Sequence, residues 1–140
     1  MNEIENEYVR FWKQEGILYS VFKKPIYAGL EDTKSIIDLR HIISENENQY
    51  WVMDMKNLRY VSNEAKMYID EKGHDFVQAC AVVTCSFLNK FMIDIFINMK
   101  KSKVPVKSFS TEESAVAWLK EMQNSNNTGI NVNIGEEHLS

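Results

Sequence analysis

A chain of 140 residues, 44% hydrophobic and 26% charged, has the length and composition of one soluble globular domain. Its formal net charge is −4 and its lysines are scattered, so it has no basic stripe for phosphate contacts and is a poor duplex nucleic-acid binder. No stretch reaches the roughly 18 consecutive apolar residues of a membrane span. The acidic opening "MNEIENEYVR" has no apolar signal core, and the expected location is the cytoplasm.

In chain order, "YVRFWKQ" and "ILYSVF" flank Glu15 and Gly16, which predicts a hairpin closed at a glycine. Pro25 stops the second run. In "LEDTKSIIDLRHIISEN" the period changes to helical: Ile36, Leu39, Ile42 and Ile43 share a face, and Asp32 or Thr33 can cap the start. "YWVMDM" reads as a strand buried on both sides. "SNEAKMYIDEK" reads as a short helix ending near Gly73, and "ACAVVTC" as a second buried strand. "SFLNKFMIDIFINMKKSK" predicts a long helix. "VPVKSFS" predicts a strand that Pro105 confines to an edge or a strand start. "STEESAVAWLKEM" predicts a helix with a capping box at Ser110 and Glu113.

The order β-β-α-β-α-β-α-β-α implies an α/β layered fold: a mostly parallel five-stranded sheet with an N-terminal hairpin and four helices. Residues 1–123 form the single domain. Residues 124–140, rich in Asn and lacking large aromatics, read as a flexible polar tail in which "INVNI" can add a weak strand.

The segment strand, "DMKNLRYVSNEA", helix resembles the STAS family, the sulphate-transporter and anti-sigma-factor-antagonist domains. In that family a strand ends in D-[LM]-x-x and a loop leads to D-S-S-G at a helix start. "ACAVVTCSFLNKFMIDIFINMKK" and "VPVKSFSTEESAVAWLKEM" are similar to the last strands and helices of its SpoIIAA-like branch, whose members also resemble lipid-carrying SEC14-type domains. The resemblance covers about residues 8 to 122 and implies the SpoIIAA-like fold. It implies partner contacts at the loop and helix start around Ser62, Asn63 and Glu64. Laying Asp54 and Met55 on the D-[LM] pair places Ser62 on the family's Asp, Asn63 on its phosphoacceptor Ser, Glu64 on its second Ser and Ala65 on its Gly. Asn63 has no hydroxyl, so the usual phosphorylation switch is expected to be missing.

Read from the residues themselves, Ser62 is an N-cap. A phosphorylation site would set a new charge beside Glu64, and a Ser nucleophile would need a G-x-S-x-G elbow that the chain does not contain. Asp54, at a strand end, is expected to accept hydrogen bonds from the loop after it. Cys80 and Cys85 lie about 16 Å apart along one strand, too far for the roughly 7 Å that a disulfide spans, and read as buried structural thiols. His41, His74 and His138 make no metal motif. On the helix from Phe87, Ile93 and Ile97 fall opposite the apolar arc, among Asn89, Lys90, Asp94 and Lys100. They are either covered by the tail or a neighbouring loop, or a candidate interface for a weak homodimer or another protein.

These readings predict a non-enzymatic STAS-like interaction module without cofactor or metal. The alternative is a carrier or sensor of a small apolar, lipid-like ligand, suggested by the aromatic and Met content of the Phe87 helix.

Overall fold

Glu15 and Gly16 both adopt positive φ, 52° and 79°, the pairing a two-residue hairpin turn needs to match strand twist. They join β2 (Val9–Gln14) to β3 (Ile17–Phe22) in antiparallel register, with Gln14 opposite Ile17. The computed structural model describes residues 1–85 and 104–127. Before this hairpin comes β1 (Glu3–Glu5), which pairs with β2 and sets Ile4 opposite Phe11.

The chain then runs through β4 (Ile26–Ala28), α1 (Leu30–Ser44), β5 (Gln49–Asp54), β6 (Leu58–Val61), α2 (Asn63–Lys72), β7 (Val77–Val83), β8 (Val106–Phe109) and α3 (Glu112–Asn127). The main sheet has six strands in the order β1-β2-β3-β5-β7-β8. Its first two pairings are antiparallel and its last three parallel. β4 and β6 form a separate parallel pair. The architecture is therefore α/β as expected, with a six-stranded mixed sheet in place of five mostly parallel strands. The added strands β1, β4 and β6 are three or four residues long, too short to show a period. Three helices are described; the expected fourth, from Phe87, lies outside the described residues, as does "INVNI". α3 continues past Gln123 to Asn127.

Alternation along the central strands divides the core. Trp51, Cys80 and Val82 face one layer with Phe11 and Ile43. Val52, Ala79, Ala81 and Val83 face the other, under Ala115 and Leu119 of α3. The small side chains of Ala79 and Ala81 let α3 lie close to the sheet. At the hairpin, the Gln123 side chain donates to the Gly16 carbonyl at 3.4 Å, and Lys120 pairs with Glu15 at 2.8 Å.

Three local expectations are corrected. The buried face of α1 is Thr33, Ile37, Arg40 and Ser44 with Ile43, while Ile42 is 53% exposed. α1 is wedged among α2, β2 and β4, which turns its inner face one position away from the most apolar stripe. Its N-cap is Gly29, not Asp32 or Thr33; Asp32 reaches back from the first turn to accept the Gly29 N–H at 3.2 Å. In α3 the cap is Thr111, one residue after the expected Ser110; its Oγ1 accepts from Ser114 N at 3.2 Å and donates to Ser114 Oγ at 3.0 Å in place of the box expected at Ser110 and Glu113.

Candidate functional site

The β6–α2 junction is built by local capping. Ser62 is extended (φ −69°, ψ 162°) and its Oγ accepts the Ala65 N–H at 3.1 Å. Its own N–H donates to Ala28 O at 3.0 Å, tying the helix start to β4. The hydroxyl is thus committed as an N-cap. Asn63 and Glu64 follow it and are exposed, with Glu64 in the first turn, where a negative charge complements the helix dipole. Asp54 ends β5 as expected: its Oδ1 accepts Lys56 N at 2.9 Å and its Oδ2 lies 3.3 Å from Lys56 Nζ. The acid organises the β5–β6 loop.

Beside this junction the surface is more apolar than the sequence suggested. Tyr27 of β4 and Tyr60 of β6 are register partners, 69% and 54% exposed. Their neighbours Ile26 and Leu58, also partners, are buried. A register shift separates the two pairs, so the small sheet buries Ile26 and Leu58 in the core and leaves the tyrosine pair exposed. Met67 of α2 is 72% exposed, in keeping with its place off the core face. Ile93 and Ile97 lie outside the described residues.

The thiols and histidines stay apart. Cys80 is buried and Cys85 is exposed, and the two are not joined in a disulfide. Cys85 departs from the buried reading because β7 ends at Val83, leaving it in the connection beyond the sheet. His41 Nε2 and His74 Nε2 each stand 3.9 Å from a carboxylate, Asp75 and Asp70 respectively. Among the described residues no three His, Cys, Asp or Glu side chains group as metal ligands.

A second feature lies beneath α1 and α2. A cavity of about 130 Å³ opens between these helices and the sheet, walled by Phe11, Trp51, Val82, Ile37, Ile69 and Val106 among others. Phe11 and Trp51 pack as a tilted aromatic pair, and Trp51 Nε1 donates to Ser20 Oγ at 2.9 Å, which holds the indole in place. Arg40 of α1 is 1% exposed and packs against two of the lining residues, Trp51 and Gly73. Its Cζ lies 4.8 Å from the centre of the Trp51 ring, and Nη2 donates to Gly73 O at 3.0 Å. Nε and Nη1 have no hydrogen-bond partner among the described residues. Burial pulls the guanidinium from its ordinary value down to about 10; Cys80 and Asp75 oppose that shift. The spacing Thr33, Ile37, Arg40, Ser44 is itself a helical stripe, and this signal marks Arg40 as inward-facing once the stripe need not be wholly apolar.

An N-terminal hairpin, a mixed sheet with parallel crossovers and helices on both faces are the architecture of SpoIIAA-like proteins. An uncharacterised protein of the DUF3478 family from Shewanella loihica PV-4, with a SpoIIAA-like fold, superposes with a TM-score of 0.58. It is 14% identical, and the match covers 79% of this chain and 91% of that one. The fold is SpoIIAA-like, as the sequence resemblance implied. The chain belongs to the family described as a domain of unknown function, DUF7793, whose model matches residues 11–123. No curated protein sequence matches it.

Proposed function

We propose that this domain is a non-enzymatic, regulatory protein-interaction module whose partner docks at the β6–α2 junction. The observation that carries the reading is the exposed Tyr27–Tyr60 pair beside the capped helix start bearing Asn63 and Glu64. Tyrosine is enriched where proteins meet, since one ring offers both apolar area and a polar tip. The reading has no phosphorylation switch: Asn63 stands where the family places its acceptor, and the Ser62 hydroxyl is already bonded to Ala65 N. A photo-crosslinking residue at position 27 or 60, in the protein's own cells, should give a discrete protein adduct. The same residue at Asp38, exposed on α1, should not. No adduct at 27, 60, 63 or 64 refutes the proposal. Self-association through Ile93 and Ile97 is a separate form of the same proposal. It requires Ile93→Lys/Ile97→Lys to convert a dimer into a folded monomer in sedimentation, and it fails if the wild type is monomeric at high concentration.

A second reading, a carrier or sensor of a small apolar ligand, is supported by the cavity under α1 and α2. An apolar cavity near 150 Å³ is large enough for a benzene ring, and this one is of that order. Saturable binding of 1-octanol, followed by the Trp51 indole N–H resonance, tests it.

A further inference from the structure

The inner stripe of α1 buries two hydroxyls, and they are treated differently. Ser44 Oγ donates to the Arg40 carbonyl one turn earlier, at 2.8 Å, the usual way a hydroxyl inside a helix is satisfied. Thr33 has the same option on Gly29 O, which accepts its backbone N–H at 3.1 Å, and does not take it. Its Oγ1 is buried, in a residue 4% exposed, with no hydrogen-bond partner among the described residues. A buried hydroxyl without a partner carries its whole desolvation penalty, and such groups are rare for that reason. Thr33 is also one of the residues that line the cavity between α1, α2 and the sheet. Its methyl and hydroxyl share one Cβ, and one step about χ1 exchanges them. The wall at this point therefore presents either an apolar or a polar contact to whatever enters.

We infer that the cavity takes a small neutral molecule with an apolar body and one oxygen, and that the Thr33 hydroxyl hydrogen-bonds that oxygen. This rests on the ligand reading above and adds the chemistry of the head group to it. The volume, about 130 Å³, is of the order that holds a benzene ring, so the body is a phenyl or short alkyl group. Among the described residues no Asp or Glu lines the cavity, and an ion brought to such apolar walls without a partner is far costlier than a hydroxyl. The other polar groups of the wall are placed elsewhere. Ser20 Oγ accepts the Trp51 indole N–H at 2.9 Å, and His74 stands 3.9 Å from Asp70. Lys66 is half-buried on α2, and its flexible stem lets the ammonium reach water.

The test compares phenol with toluene, which differ by a hydroxyl in place of a methyl, on the intact chain at pH 7, read by calorimetry and by the Trp51 indole resonance. The wild type should bind both. Thr33→Val keeps the shape and removes the hydroxyl; it should weaken phenol about fivefold or more, the worth of one neutral hydrogen bond, and leave toluene as tight or tighter. Thr33→Ser should keep the wild-type ratio of the two affinities, and so should Lys66→Met. The urea midpoint is a second readout. With no bond to lose, Thr33→Val should be no less stable than the wild type; a lowered midpoint shows that the hydroxyl is already bonded inside the protein and overturns the proposal. An equal response of phenol and toluene to Thr33→Val overturns the head-group assignment and leaves the apolar cavity standing. Selective loss of phenol in Lys66→Met but not in Thr33→Val also overturns it. Binding of neither ligand by the wild type overturns the assignment, and the ligand reading falls with it if 1-octanol fails as well.

Discussion

Replacing Arg40 by Met tests whether its buried charge stabilises the fold. The pull from its ordinary value down to about 10 corresponds to a penalty of about 3 kcal/mol on the charged form. Against it stand one charged hydrogen bond to Gly73 O, worth roughly 1.5–3 kcal/mol, and the stacking over Trp51, worth up to about 2 kcal/mol when desolvated. Met keeps the apolar stem, adds dispersion against Trp51 and needs no counter-charge. The opposing contributions nearly cancel, so Arg40→Met should unfold in urea within about 2 kcal/mol of the wild type, on either side. A buried cation held by a true ion pair behaves differently: removing one partner of such a pair costs about 3–5 kcal/mol. A loss above about 3 kcal/mol would therefore refute the claim that Arg40 lacks a carboxylate partner. The folded-state value is depressed, so the charged form is penalised below about 10 and the penalty is relieved only as pH climbs from there toward the ordinary guanidinium value. The gap between variant and wild type should consequently be flat from pH 6 to 8. A slope there would show that the effect does not come from the Arg40 charge.

Ser62→Ala should lower stability by roughly 0.5–2 kcal/mol, because Ala65 N loses its acceptor, while Ser62→Asp should be nearly neutral in the same chemical denaturation; an unchanged midpoint for the alanine variant would show that the cap contributes nothing. Gly16→Ala should cost at least about 1–2 kcal/mol, since Gly16 has φ +79° and an added methyl would collide with the Gln123 side chain; a neutral result would mean the turn rearranges freely. Iodoacetamide should alkylate native protein first at exposed Cys85 and reach buried Cys80 only on unfolding, which peptide mass mapping distinguishes. Treatment with a kinase active on ordinary STAS domains should add no phosphate to the intact mass, and one phosphate mapped to Ser62 would show that Asn63 is not the acceptor position.

The parts of this protein legible from its sequence are those encoded over a few neighbouring residues. The Glu15-Gly16 turn needs only two residues tolerant of positive φ between strand-forming runs. The Ser62 cap needs a short hydroxyl side chain three residues from the N–H it satisfies. The continuous apolar runs at Trp51 and Cys80 had to be strands covered on both faces, and the alternation of strands with helical periods then restricts the chain to a layered α/β fold. Tertiary structure decided whatever depends on residues far apart in the chain. β1, β4 and β6 are too short to carry a pattern and exist because Phe11, Ile26 and Leu58 find partners elsewhere. The inner face of α1 is chosen by what packs around it, which is why Ile42 meets water and Arg40 is buried. The Tyr27–Tyr60 pair is assembled by register between strands on either side of α1 and β5. The cavity, and the burial of the Arg40 guanidinium against Trp51 and the Gly73 carbonyl, exist only where α1, α2 and the sheet converge, because an enclosed volume and a long-range contact belong to the packing and to no single stretch of chain.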